Sequence, residues 1–248
     1  MFAPIERRES AVDVVARTLR TAILRGDMAI GSRLPAERTL AEQLKVNRVT
    51  VRAALAKLTG ARMLSVRQGS GYEVLDYTRE SGPELLTELA TVAEGRGALR
   101  EVVADLLLVR RHLAHAVLER LASRPRKATL PIVRAIERFA EVAQKGASIA
   151  DVALADMEVL ASVLDATGSV VLKLCFHPVL ATVVGLEPLC AVLYAEPEAN
   201  AAAYSVLAAW LERRDREHIA TVLSELERRD ARTVERLARK PGGKKERA

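Results

Sequence analysis

Two stretches of helical sequence lie only three residues apart, and this spacing constrains the fold more than any other feature. The first stretch begins at or just after Pro35 and places Leu40, Ala41 and Leu44 on its inward side. The second begins after Asn47, a residue that is favourable at a helix N-cap. The second stretch combines an apolar stripe of Val51, Leu55 and Leu58 with the polar residues Arg48, Thr50 and Arg52. Two helices joined by so tight a turn predict a helix-turn-helix.

A glycine-rich hairpin is predicted directly after the second helix. Residues 62–77 alternate strand-forming residues around Gln68-Gly69-Ser70-Gly71. Glycine at a hairpin tip allows the backbone to approach another molecule closely. Residues 11–25 predict a further amphipathic helix, and residues 26–35 predict a loop because of their Gly and Pro content. Residues 1–77 therefore predict a winged helix-turn-helix domain.

Positive charge is concentrated at the two ends of the chain. The formal net charge is +6, with 13 Lys and Arg against 8 Asp and Glu in residues 1–77. Residues 239–248 hold five Lys and Arg against one Glu, so the middle of the chain is mildly acidic. In a helix-turn-helix, the second helix lies in the DNA major groove with its N-terminal residues at base edges. The charge and the motif together predict double-stranded DNA as a partner.

Residues 22–74 resemble the DNA-binding domain of the GntR family of bacterial transcription regulators. The resemblance is carried by "LPAER…LA…L.V.R.TVR.AL..L" followed by "QGSG". It implies that the arginine of "PAER", the residues that open the second helix and the tip of the wing contact DNA. By position these are Arg38, Asn47, Arg48, Thr50, Arg52, Gln68 and Gly69.

Residues 78–240 predict an all-helical domain, because apolar residues recur there at steps of three and four. The fold class is therefore mainly α, with an N-terminal winged helix-turn-helix and a C-terminal effector and dimerisation bundle. Pro178 should kink or split its helix, and residues 241–248 are expected to form a disordered basic tail. The predicted helices cover 97–123, 127–144, 148–165, 168–186 and 197–238, the last interrupted near Asp230, and Val102, Leu106, Val109, Leu113 and Val117 form the stripe of the first.

The helical half resembles the effector domain of the FadR-like branch of GntR regulators. "SGPELLTELA", "DLLLVR", "D…(A)TGS" and "YAEPEA" follow that branch in order. One recognition helix reads only a few base pairs, so we predict a homodimer on a palindromic operator. We expect a small effector to release this dimer from DNA. A fatty acyl-CoA or a fatty acid is the leading candidate effector, because helices rich in Ala, Val and Leu suit an aliphatic chain.

Many members of this branch bind a divalent metal through an aspartate, a histidine four residues later and two further histidines. Asp156 and His218 occupy two of these positions, but Leu160 and Lys240 occupy the other two. An aspartate and one histidine cannot complete a tetrahedral site by themselves. We therefore predict no metal and no cofactor.

Two residues of the helical half are candidate ligand contacts. Arg110 lies beside the apolar stripe of its helix, so it either points inward to bind a carboxylate or phosphate or lies on the surface. Tyr194 either lines a pocket or packs in the core.

Two classes of function are compatible with these patterns. The first is a ligand-responsive transcription regulator, and the second is a constitutive DNA-binding protein whose helical domain only dimerises. An enzyme is not favoured, because the sequence offers no nucleophile with a base, no metal set and no phosphate loop. The chain has two cysteines, no apolar N-terminal signal segment and no apolar run of membrane-spanning length. We therefore expect a cytoplasmic protein with no membrane partner.

Overall fold

The computed structural model describes residues 9–67 and 71–239. In these residues, two strands form a hairpin and almost all other regular structure is helical. The chain divides into two compact units, one up to Val92 and the other from Ala93. The predicted fold class, a winged helix-turn-helix followed by a helical domain, is confirmed. Gln68, Gly69 and the basic tail lie outside the described residues.

The N-terminal unit has the order of elements expected of a winged helix-turn-helix. A three-residue connection, in which Lys45 adopts a left-handed conformation with φ of 54°, joins the second helix to the third. The elements are α1 (Ala11–Arg25), α2 (Glu37–Leu44), α3 (Arg48–Gly60), β1 (Leu64–Arg67), β2 (Gly71–Val74), α4 (Tyr77–Glu80) and a 3-10 turn (Pro83–Leu85).

The core of this unit lies where α3 packs against α1 and α2. Val51, Leu55 and Leu58 are fully buried, as the apolar stripe predicts. Burying each such side chain contributes about 1.5–3 kcal/mol. Packing on this side of α3 fixes which side of the helix remains in solvent.

The wing contains more pairing than a hairpin alone. β1 and β2 are antiparallel, with Leu64 opposite Val74. The outer edge of β2 also pairs with the segment 31–34: the Gly31 amide donates to the Val74 carbonyl at 2.8 Å, and the Leu34 amide donates to the Tyr72 carbonyl at 2.9 Å. The sequence predicted only a loop here. Within this segment Arg33 forms a bridge to Glu73, because backbone groups at a strand edge gain by pairing.

The first unit extends beyond the wing because of three apolar residues. Leu85 and Val92 belong to the same buried cluster as α1 and α3, and Leu89 packs against it. The division of the chain therefore falls after Val92, inside α5, and not directly after the hairpin.

The C-terminal unit consists of helices. α8 begins with a capping box, in which the Ser148 side chain accepts from the Asp151 amide and the Asp151 carboxylate accepts from the Ser148 amide. The helices are α5 (Leu86–Gly95), which crosses the boundary, α6 (Leu99–Ala122), α7 (Arg126–Gln144), α8 (Ile149–Thr167), α9 (Val170–Gly185), α10 (Glu187–Leu193), α11 (Pro197–Arg213) and α12 (Ile219–Arg239).

The predicted interruption near Asp230 is wrong, because the break lies at residues 214–218. Arg214 ends α11 in a left-handed conformation, and the Asp215 carboxylate accepts from the His218 amide at 2.9 Å just before α12 begins. Asp230 itself lies inside α12 and is buried. α9 is not split at Pro178, which lies within the helix.

The buried face of α6 is rotated relative to the predicted stripe. Val109 is half exposed, whereas Val103, Leu107 and Arg110 are buried. An apolar pattern assigns faces by residue type, and here an arginine occupies a core position. Arg110 therefore has to be compensated within the unit.

Among the described residues, no single helix is long and apolar enough to cross a membrane. α9 and α10 reach that length only as a pair, and the pair is bent by 90°.

Candidate DNA interface and a cavity in the helical unit

The first turn of α3 presents polar groups to solvent. The Asn47 carboxamide oxygen accepts the Thr50 amide at 2.7 Å and caps the helix. Arg48 is exposed and Thr50 is half-buried. Val49 is 77% exposed, and an apolar side chain at this position suits the methyl group of thymine. Three of the predicted DNA contacts thus lie together at one exposed helix end.

Arg52, one turn further along α3, is held by a carboxylate from α2. Its Nε lies 3.1 and 3.2 Å from the two Glu37 oxygens, and its Nη2 donates to Oε2 at 2.8 Å. The hydrogen bond from Arg52 lowers the pKa of Glu37, and the charge of Arg48 and a hydrogen bond from Tyr72 lower it further. The Arg52 side chain remains 71% exposed, so this pair orders the guanidinium on the surface.

Arg38 lies on α2 and is less constrained. Its Nε is 3.7 Å from a Glu42 oxygen, and both side chains are about two-thirds exposed. A surface pair of this kind contributes about 0–1 kcal/mol. The guanidinium can therefore exchange this partner for a phosphate at little cost.

The wing contributes one described cation near its tip. The Arg67 Nε lies 2.7 Å from a Glu73 oxygen across the hairpin. Gln68 and Gly69, the two wing residues expected at DNA, lie outside the described residues.

The helical unit contains a cavity of about 110 Å³. Its wall is mostly aliphatic, with charged and hydroxyl groups confined to a few positions. The apolar wall includes Val117, Leu118, Leu160, Val163, Phe176, Leu207 and Leu226, and the polar wall consists of Arg110, Asp156, Tyr204, Glu225 and Arg229.

Asp156, on α8, is buried and accepts two hydroxyl groups. Tyr194 donates to one oxygen at 2.9 Å and Tyr204 donates to the other at 2.6 Å. Burial and the neighbouring Asp156 charge raise the pKa of both tyrosines far above its usual value. Both phenols are therefore neutral donors at physiological pH.

Two residues of α12 bring opposite charges into the unit. The Arg229 Nη2 lies 3.6 Å from an Asp156 oxygen. The Asp230 carboxylate accepts from the Arg110 Nη2 and, at 3.0 Å, from the Arg111 Nη1. Arg229 and Asp230 were missed in the sequence, although Arg229 follows Leu226 by three residues and so falls on the inward stripe.

The two candidate ligand residues are both inside the unit. Arg110 is 5% exposed and forms part of the cavity wall, whereas the Tyr194 hydroxyl is occupied by Asp156. Arg110 therefore points inward and does not lie on the surface. Its contact with a ligand stays a prediction.

Two of the possible metal-ligand positions lie in different surroundings. Leu160 lines the cavity, and His218 pairs with Asp215 at 2.6 Å on the exposed connection to α12. Residues 9–67 and 71–239 contain no group of three His, Cys, Asp or Glu side chains placed to hold a metal.

The tight helix pair, the paired wing and the exposed polar end of α3 define a winged helix-turn-helix DNA-binding domain. Residues 11–74 match the family model described as bacterial regulatory proteins, gntR family. The match covers the winged helix-turn-helix and does not extend into the helical unit.

Curated relatives include two kinds of named regulator. The HTH-type transcriptional regulator Mce2R of Mycobacterium tuberculosis is 37% identical over 142 residues, which are 57% of this chain and 53% of the relative. The fatty acid metabolism regulator protein of Yersinia pestis is 34% identical over 107 residues, which are 42% of this chain and 44% of the relative. The chain spans about half the length of the curated relatives it matches.

The structure of Lar, which controls the expression of the Listeria monocytogenes agr system, is similar over nearly the whole chain. The TM-score is 0.56 at 14% identity, covering 95% of this chain and 100% of that one. This likeness shows the fold.

Proposed function

We propose that the protein is a sequence-specific transcription regulator that binds operator DNA through the N-terminus of α3. The observation that carries this proposal is the polar cluster of exposed Asn47, exposed Arg48 and half-buried Thr50, which lies opposite a fully buried stripe on the same helix. Arginine binds the edge of guanine with two hydrogen bonds, and threonine contacts a phosphate or a thymine methyl group. Arg38 and Arg52 supply further cations on the same helix pair.

A homodimer is the functional form in this proposal. One recognition helix reads only a few base pairs, so a symmetric pair on a palindromic site provides the required specificity. α9 offers a face for a second copy, because Val170, Val171 and Leu174 are each between 68% and 69% exposed. In a twofold dimer the same face of each copy packs against the other, and such packing would remove these three side chains from water.

The helical unit is the effector domain in this proposal. Its cavity combines an aliphatic wall with two arginines, which favours an amphipathic anion of the fatty acid or acyl-CoA class. A relative named as a fatty acid metabolism regulator is in keeping with that class. The alternative, a helical domain that only dimerises, requires no cavity with buried charges.

The test of DNA recognition is selection of preferred sequences from random duplexes, followed by affinity measurements on the selected site. Arg48→Ala should weaken binding to that site and relax the preference at one base pair. Arg79→Ala is the matched control, because Arg79 is an 84% exposed arginine on α4 of the same unit. Binding without sequence preference, unchanged by Arg48→Ala, contradicts the proposal.

A further inference from the structure

We propose that Arg229 is the anion receptor of the cavity and that the ligand is a short aliphatic monocarboxylate. This rests on the proposed function, because it takes the cavity as the effector site and names both the receptor group and the ligand class.

Arg229 has buried donors without acceptors. The residue is 7% exposed, lines the cavity, and has no hydrogen-bond partner at Nε or Nη2. Buried polar groups are nearly always paired, because an unsatisfied donor carries its full desolvation cost. A planar carboxylate matches adjacent guanidinium donors with two parallel hydrogen bonds. A bound carboxylate would therefore satisfy both nitrogens together.

Asp156 does not occupy these donors. Its oxygens accept from Tyr194 and Tyr204, and the 3.6 Å to the Arg229 Nη2 is longer than a hydrogen bond. Asp156 thus compensates part of the Arg229 charge at a distance. The two tyrosines supply hydrogen bonds that Arg229 would otherwise have to make, which leaves its guanidinium available.

Arg110 is engaged differently. Its Nη2 binds Asp230, and Arg111 binds the second oxygen of the same carboxylate. The Arg110 Nε is buried without a partner. Arg110 therefore lends positive charge and one further donor to the cavity, whereas Arg229 has two.

The remaining carboxylate of the cavity wall has its own cations. Glu225 lies 3.0 Å from the Arg228 Nη2 and 3.7 Å from the Arg232 Nη2, and its side chain is 16% exposed. Its negative charge is compensated from two sides, which reduces its repulsion of an anion at Arg229.

The volume of the cavity indicates the length of the aliphatic chain of the ligand. An apolar cavity of about 150 Å³ holds benzene, so about 110 Å³ holds roughly four or five carbons. The nucleotide of an acyl-CoA is larger than this space, so it would have to lie outside the cavity. The thioester carbonyl at its acyl end is also neutral and offers Arg229 no carboxylate. Both facts favour a free acid of four or five carbons, such as butanoate or pentanoate.

The test is calorimetric titration of the full chain with straight-chain carboxylates from butanoate to dodecanoate. The primary alcohols of the same lengths are the uncharged controls, and butanoyl-CoA and hexanoyl-CoA are the thioester controls. We expect the short acids to bind most tightly. Loss of the charge-assisted hydrogen bonds should weaken the alcohols by about 10- to 150-fold.

Three variants assign the receptor. Arg229→Gln should weaken the binding of the short acids by a similar factor. The double variant Asp156→Asn/Arg229→Gln removes both charges of this pair, so it keeps the unit folded if the single variant unfolds, and it should also lose binding. Arg138→Gln is the matched control, because Arg138 is 55% exposed in an ion pair with Glu158 on the same unit, and it should bind like the wild type.

The proposal is overturned if the folded double variant binds the short acids within twofold of the wild type. It is also overturned if the alcohols bind equally well, if only the CoA thioesters bind, or if none of the probes binds. Operator affinity measured without any probe separates these outcomes from a failure of the DNA-binding proposal.

Discussion

Replacing Asp230 by asparagine should destabilise the helical unit strongly. The Asp230 side chain is 2% exposed and compensates Arg110, whose side chain is 6% exposed. Removing one partner of a buried ion pair costs about 3–5 kcal/mol, because the other charge stays buried without compensation. Arg111 is 22% exposed and regains water more easily, so most of this cost arises at Arg110.

The assay is urea unfolding followed by the fluorescence of Trp210, the single tryptophan of the chain, which is buried in α11. Glu212→Gln is the matched control, because Glu212 pairs with Arg126 while both side chains are more than half exposed. This control should cost at most about 1 kcal/mol. The double variant Arg110→Met/Asp230→Leu should recover most of the lost stability, because it removes both charges of this buried pair together.

The reasoning is refuted if Asp230→Asn unfolds within about 1 kcal/mol of the wild type, like an exposed pair. It is refuted equally if the apolar double variant is no more stable than Asp230→Asn.

Four further predictions follow from the same structure. Arg48→Ala should cost about 1–3 kcal/mol at one base pair of the operator, as measured by competition between site variants. Leu174→Glu should dissociate the proposed dimer, seen by sedimentation, while the exposed control Leu154→Glu should not. Elemental analysis should find less than one zinc or nickel per chain, and a chelator should leave the melting temperature unchanged. The hydrogen bond from Lys57 lowers the pKa of Asp13 from 3.8 to about 2. The ionised Asp13 therefore stabilises the folded state above its unfolded pKa, and this contribution is lost as the pH falls through about 2. The free energies of unfolding of the wild type and of Asp13→Asn should converge in acid, as measured by urea unfolding at a series of pH values.

The N-terminal unit was predictable because its signals are local. Asn47 is both a favourable cap in the sequence and the observed cap, and the spacing of the apolar residues places α3 on the core without reference to distant residues. The segment 31–34 was missed because its pairing depends on β2, about forty residues later.

The helical unit was less predictable because its buried charges have distant partners. Arg110 meets Asp230 across 120 positions of sequence, so neither residue identifies the other locally. An aspartate inside a helical pattern ordinarily indicates solvent or a helix end, whereas Asp230 is buried against Arg110. The cavity itself arises from packing between helices, which residue type and spacing do not describe.

Arg229 and Asp230 are consecutive residues, and their ion pairs fix the orientation of α12 more strictly than its leucines do. Consecutive residues of a helix point about 100° apart, so one helical turn carries a cation toward α8 and an anion toward α6. Aliphatic side chains tolerate a small rotation of the helix because they can repack. Two opposite charges do not tolerate it, since each would lose its own partner. The two ion pairs therefore fix the rotation of α12 about its own axis. Its apolar residues can vary in sequence without changing that rotation.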